Sequence, residues 1–143
     1  MTETTPEGLA RENIDEKLEE AGWEEIENGE GTGYDDEVMT DVGPADYVLY
    51  IDSVPVAIVE AKRESKTVKH HLQQARNYAS NLDDNEDYSN EYSVPFVFAS
   101  DGEEVILEDL RKGSRSFREV YGFYSPKNIE RQLNRKIEEG REW

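Results

Sequence analysis

The chain has 143 residues, with 16 Lys and Arg against 34 Asp and Glu and a formal net charge of -18. That length suits one domain with a real core over residues 1–143, and the absence of cysteine excludes disulfides and thiolate metal sites. No apolar run nears the roughly 20 residues of a membrane span, and no signal-peptide pattern opens the chain, so a cytoplasmic protein with no membrane partner is expected.

The acidity alone speaks against a nucleic-acid partner. Lysines are few, however, at 17, 62, 66, 69, 112, 127 and 136. An acid-rich, lysine-poor surface suits molar salt, where repulsion between charges is screened within about 3 Å, and we read it as halophilic adaptation. The positive charge is also unevenly placed. Lys62, Arg63, Lys66, Lys69 and Arg76 stand against the single acid Glu64, and Arg111, Lys112, Arg115 and Arg118 form a second basic group. Acids collect instead in long loops near 27–41 and 83–91.

In chain order, "PEGLARENIDEKLEEAG" predicts an amphipathic helix. Pro6 suits its first turn, Leu9, Ile14, Leu18 and Ala21 share a face, and Gly22 stops it. A short strand is expected near Trp23–Ile26. "ENGEGTGYDDE" reads as a Gly-rich acidic loop without the Lys-Ser/Thr ending of a phosphate-binding loop. Asp46–Ile51 and Val56–Ala61 read as adjacent strands joined by the turn-forming "DSVP". Thr67 caps a second helix with Val68, Leu72, Ala75 and Ala79 inward. "VPFVFAS" and "EEVILEDL" are two further strands around "SDG". A basic linker leads to a closing helix with Ser125 as cap and Pro126 at its first position. The order predicts an α/β domain built on a central mixed sheet of four to five strands flanked by helices. Trp23, Phe96, Phe98, Tyr121, Phe123 and Tyr124 are expected in its core.

One constellation carries chemistry. Residues two apart on a strand share a face, so Glu60 and Lys62 point the same way at the end of "VAIVEAK". With the turn midway, Asp46 on the preceding strand approaches the same end. Two neighbouring carboxylates repel unless a cation lies between them. Asp46, Glu60 and the Ala61 carbonyl are hard oxygen ligands suited to Mg²⁺, with Mn²⁺ as a substitute. A water oriented by Lys62 would then attack a phosphodiester. Glu64-Ser65-Lys66 and Asp15-Glu16-Lys17 have the same spacing, but neither follows a buried strand. The plain alternative is that Asp46, Glu60 and Lys62 form a surface ion pair.

Gln74 and Tyr78, four apart on the second helix, share a face. Together with "AGW" (21–23), "GPADY" (43–47), "VEAK" (59–62), "QARNYA" (74–79), "VPFVFASDG" (94–102) and "FYSP" (123–126), they resemble, in order, the N-terminal nuclease domain of type I restriction enzyme R (motor) subunits, in the PD-(D/E)xK superfamily. The resemblance implies a restriction-endonuclease-like fold and a Mg²⁺-dependent deoxyribonuclease acting on double-stranded DNA. It implies Asp46 and Glu60 as metal ligands, Lys62 activating the water, and Gln74 and Tyr78 supporting the site and touching DNA. An assisting acid on the first helix would be Glu7 or Glu12. The implied partners are a helicase/translocase domain and specificity and methylation subunits. "DSVP" for the commoner Asp-Gly turn and "ASDG" for "ATNG" depart from the pattern, both outside the catalytic series.

Other residues read more simply. Adjacent His70 and His71 diverge by about 100° on a helix and cannot jointly clasp a metal; a phosphate contact suits them better. The basic face with Arg76 borders the site and is read as a DNA contact. Tyr34 and its glycines are read as a plain loop. The competing function is a nuclease fold kept as a non-cleaving module for binding nucleic acid or protein.

Overall fold

The computed structural model describes residues 6–40, 42–61, 68–81, 94–110 and 117–133, with the backbone alone at 6–10, 68–71, 80–81 and 117. Helix α1 (Pro6–Glu20) opens on Pro6 as its sequence predicts, and Gly22, at φ 105°, follows its end. Strands β1 (Gly33–Thr40), β2 (Gly43–Ile51) and β3 (Val54–Ala61) form an antiparallel meander. Helix α2 (Val68–Asn81) then crosses over to β4 (Phe96–Ser100), which lies parallel to β3. Strands β5 (Val105–Asp109) and β6 (Phe117–Val120) complete a second antiparallel meander. A closing helix, α3, runs over 126–133 and is capped by the Ser125 hydroxyl, which accepts from the Asn128 amide at 3.1 Å.

The six strands lie in sequence order, β1 to β6, in one mixed sheet. This is larger than the four to five strands expected, and the two additions are the edges. The "GYDDEVMT" segment read as loop is β1, whose acids occupy the half-buried and exposed positions that an edge strand leaves to solvent. The end of the basic linker is the four-residue β6. Near Trp23–Ile26 there is no extended strand, only a bridge between Glu25 and Tyr34. It brings the backbone so close that a Cβ on Gly33 would lie 2.1 Å from the Glu24 carbonyl oxygen, so only glycine fits there. The β2–β3 turn uses Asp52 (φ 50°) and Ser53 (φ 68°), the left-handed pair a two-residue hairpin needs.

Strand alternation sorts the core into two layers. Phe96 and Phe98 of β4 face Ile14, Leu18, Trp23, Phe123 and Ile129 on the α1/α3 side. Val97 and Ala99 face Leu72, Ala75 and Ala79 of α2 on the other. Each large apolar side chain buried this way stabilises the fold by about 1.5–3 kcal/mol. Trp23 reaches across to donate its indole N–H to the Tyr124 carbonyl at 2.8 Å, tying the end of α1 to the approach to α3. Tyr121, expected inside, is fully exposed, because it follows the end of edge strand β6.

Candidate active site

The β2–β3 ladder shifts register once, between Leu49 and Tyr50, and then runs regularly to its last pair, Tyr47↔Val59. One residue further, two carboxylates take over the backbone amides. Glu60 Oε2 accepts from the Asp46 N–H at 2.9 Å, and Asp46 Oδ2 accepts from the Ala61 N–H at 2.8 Å. Each acid is thus oriented by the other's strand. Glu60 is 3% exposed, an unusual position for a carboxylate, whereas Asp46 is half-buried. The structure therefore brings Asp46, Glu60 and Ala61 together, as their sequence positions predict.

The opposite side of Asp46 is equally irregular. The β1–β2 register passes from Asp36↔Tyr47 to Val38↔Ala45, which leaves Glu37 and Asp46 as the omitted pair, with Glu37 at φ 52°. Arg11, from α1, bridges that gap. Its Nη1 lies 2.8 Å from Glu37 Oε1, and its Nη2 meets Asp46 Oδ1. The guanidinium carbon stands 5.8 Å from the centre of the Tyr47 ring. Burial opposes the Arg11 charge, but Asp46 and Glu37 outweigh it and hold its pKa above the usual arginine value.

Arg11, Asp15 and Glu19 are four apart and make one polar stripe along α1. The Tyr47 hydroxyl lies 3.1 Å from the Arg11 carbonyl and also bonds Asp15, while the Tyr34 hydroxyl donates to Glu19 Oε2 at 2.7 Å. Burial, and then hydrogen bonds to these carboxylates, push both tyrosines above their usual range. Burial likewise raises Asp15, against the hydrogen bond from Tyr47. Tyr34 is therefore a packed strand residue, contrary to the loop reading. The sequence reading missed this stripe; its signal was the i, i+4, i+8 spacing of 11, 15 and 19.

On α2, Gln74 Nε2 donates to the Tyr78 hydroxyl at 3.0 Å, so these two act as a unit. The helix packs over β3 and β4. Arg76 corrects the sequence reading. It is 8% exposed and directed inward, with Nη1 2.5 Å from Glu108 Oε1 and Nη2 3.0 Å from Gln73 Oε1. Its charge is consumed by a buried partner on β5 and is not presented to DNA. Lys62, the other lysines and arginines of 62–67, and the side chains of Glu7, Lys69, His70 and His71 lie outside the described residues. Glu12 is exposed, and among the described side chains of α1 it is Arg11 that meets Asp46.

Among the described residues, no three acidic or histidine side chains converge as a ligand set. Asp46 and Glu60 are nevertheless hard oxygen donors of the kind Mg²⁺ takes, commonly one or two carboxylates with several waters kept. A separate open cleft along β1, lined by Glu27, Asp35, Asp36, Glu37 and Tyr50, is too acidic to seat DNA phosphates. Among the described residues, no helix is long and apolar enough to cross a membrane.

Comparison with known proteins identifies the family. Residues 35–133 match the family model of the type I restriction enzyme EcoKI endonuclease subunit second domain. The chain is also similar, at 25% identity and a TM-score of 0.66, to the fragment structure of a protein assigned as the HsdR subunit of a type I restriction enzyme from Vibrio vulnificus YJ016. That match covers 90% of this chain and 25% of the other, so the chain spans about a quarter of its solved relative. No curated protein sequence matches.

Proposed function

From the premise that the chain belongs to the family of type I restriction enzyme endonuclease subunits, we propose that residues 1–143 form a single PD-(D/E)xK nuclease domain that hydrolyses DNA phosphodiester bonds. The observation that supports this most is the reciprocal clamp of Asp46 and Glu60 on each other's backbone, at the end of a buried strand. It holds two oxygen donors side by side where β3 runs out towards Lys62.

In this reading Asp46, Glu60 and the Ala61 carbonyl hold Mg²⁺, with Mn²⁺ as a substitute. The bound ion supplies charge stabilisation at the phosphate and a more acidic water. Lys62 orients the attacking water and exchanges a proton with it. Gln74 donates to Tyr78, whose ring is packed in the α2 layer, and in this reading the pair supports the site and contacts DNA near it. Phosphate contacts weaken steeply with salt, so a lone domain this acidic binds duplex DNA weakly and depends on its partners for recognition. Those partners are a helicase/translocase domain and the specificity and methylation subunits, in the cytoplasm.

Plasmid nicking with Mg²⁺ or Mn²⁺ tests the assignment. Asp46→Ala and Lys62→Ala are expected to lower nicking at least about 100-fold, the scale seen when a charge-stabilising group is removed. Equal activity in all three proteins would mean a contaminating nuclease and sink the reading. The competing role, a non-cleaving binding module, draws on the Arg11–Asp46 pair, which neutralises the carboxylate without a metal. It requires that wild type nick no DNA.

A further inference from the structure

Arg11 occupies the oxygen of Asp46 that the Ala61 amide does not use. It comes from a different layer of the fold and straddles the one pair of residues that the β1–β2 ladder omits. Its second arm rests on Glu37, whose side chain is 55% exposed, against 17% for Asp46. The same guanidinium therefore has a drier seat at the centre and a wetter one at the rim, on the two arms of one fork.

Resting on the nuclease reading, we propose that Arg11 is a built-in counter-cation of the metal site, which a divalent ion must displace from Asp46 and which Glu37 then retains. The physical basis is charge balance. Asp46 and Glu60 are held together by backbone bonds whether or not an ion is present, so their repulsion needs a resident positive charge. A mobile metal is not always there, whereas an arginine is always ionised. When the divalent ion arrives, an arginine left against it would be repelled. Glu37 already holds the other arm of the guanidinium and keeps it when Asp46 is given up, with the Tyr47 ring centre 5.8 Å from the guanidinium carbon. The Tyr47 hydroxyl at the Arg11 carbonyl keeps the backbone of α1 in place while the side chain moves. The metal affinity of the site is thus set by competition, and Arg11 is a positioning residue that touches neither substrate nor reacting atoms.

Titration calorimetry with MnCl₂ alone, on the 143-residue chain without DNA, tests this. Arg11→Gln is expected to bind Mn²⁺ about tenfold tighter than wild type, the scale of one charge-assisted hydrogen bond released from competition. Arg11→Lys, which keeps the charge, is expected to stay near the wild-type affinity. Glu37→Gln is expected to bind more weakly, because the displaced guanidinium loses its second seat. The thermal midpoint gives an independent readout: Arg11→Gln is expected to melt below wild type without metal and to gain more from saturating Mn²⁺. Unchanged or weaker Mn²⁺ binding by a folded Arg11→Gln overturns the competition. Asp46→Asn separates this failure from failure of the nuclease reading. If Asp46→Asn binds Mn²⁺ like wild type, the ion does not use this carboxylate and both ideas fall. If Asp46→Asn loses binding and Arg11→Gln changes nothing, only the competition falls.

Discussion

Two arginine–carboxylate pairs, one on each side of the sheet, use the same chemistry for opposite ends. Arg76 and Glu108 join α2 to β5 with side chains 10% and 1% exposed, in the apolar layer of Leu72, Ala75, Val97 and Ile106. Arg11 and Asp46 join α1 to β2 at the ragged end of a ladder, with side chains 23% and 17% exposed and Glu37 alongside. The pair set in the apolar layer, with Gln73 on the other arm of its guanidinium, holds a single arrangement. A half-solvated pair with a second acceptor can be exchanged. The first fixes how α2 lies on the sheet, and the second leaves the carboxylates able to take another cation.

The sharpest way to break this contrast is to remove one acid from the buried side. Glu108→Ala leaves the Arg76 charge in the core, and urea unfolding is expected to show a loss of about 3–5 kcal/mol. The double change Arg76→Met with Glu108→Leu is expected to recover most of it. At the half-solvated pair, where Glu37 and water share the guanidinium, Arg11→Gln without metal is expected to cost less, about 1 kcal/mol. Equal losses at the two pairs would erase the distinction.

A subtler test uses pH. Burial raises the folded pKa of Asp15, so its unfolded form releases the proton first. Its contribution to stability is complete below the ordinary aspartate value of about 3.9 and is lost as pH rises through the raised folded value. Asp15→Asn is expected to flatten that part of a stability–pH curve, read by circular dichroism, while keeping an acceptor for Tyr47. No change in slope would mean that the α1 stripe does not feel its burial. The smallest expected effect concerns salt. If the acidic coat is halophilic, stability rises towards molar KCl as repulsion is screened, and a flat response counts against that reading.

How far these regions could be read from residues follows from their position in the sheet. Strands β2 to β5 are runs of Val, Ile, Leu and Phe because helices cover both of their faces, and such runs are conspicuous. β1 and β6 are edges, where one side of the ladder and much of the side-chain surface meet water. "GYDDE" therefore looks like a loop, and the four residues of β6 look like the tail of a linker. Glu60 and Asp46 were legible because charge inside an apolar run is conspicuous. Arg76 was misread because charge at the start of α2 looked like a continuous basic face, and only the partner on β5 shows that this one points inward.

The sequence alone determined the apolar strands, the helix starts at Pro6 and Ser125, and the convergence of Asp46 with Glu60. Those follow from local chemistry: alternation, capping and a turn of known length. Only the tertiary structure decided which cation stands beside Asp46. That choice lies in a contact between residues 35 positions apart, made where one ladder skips a pair and the next has reached its end, and no local pattern encodes where a ladder will fail.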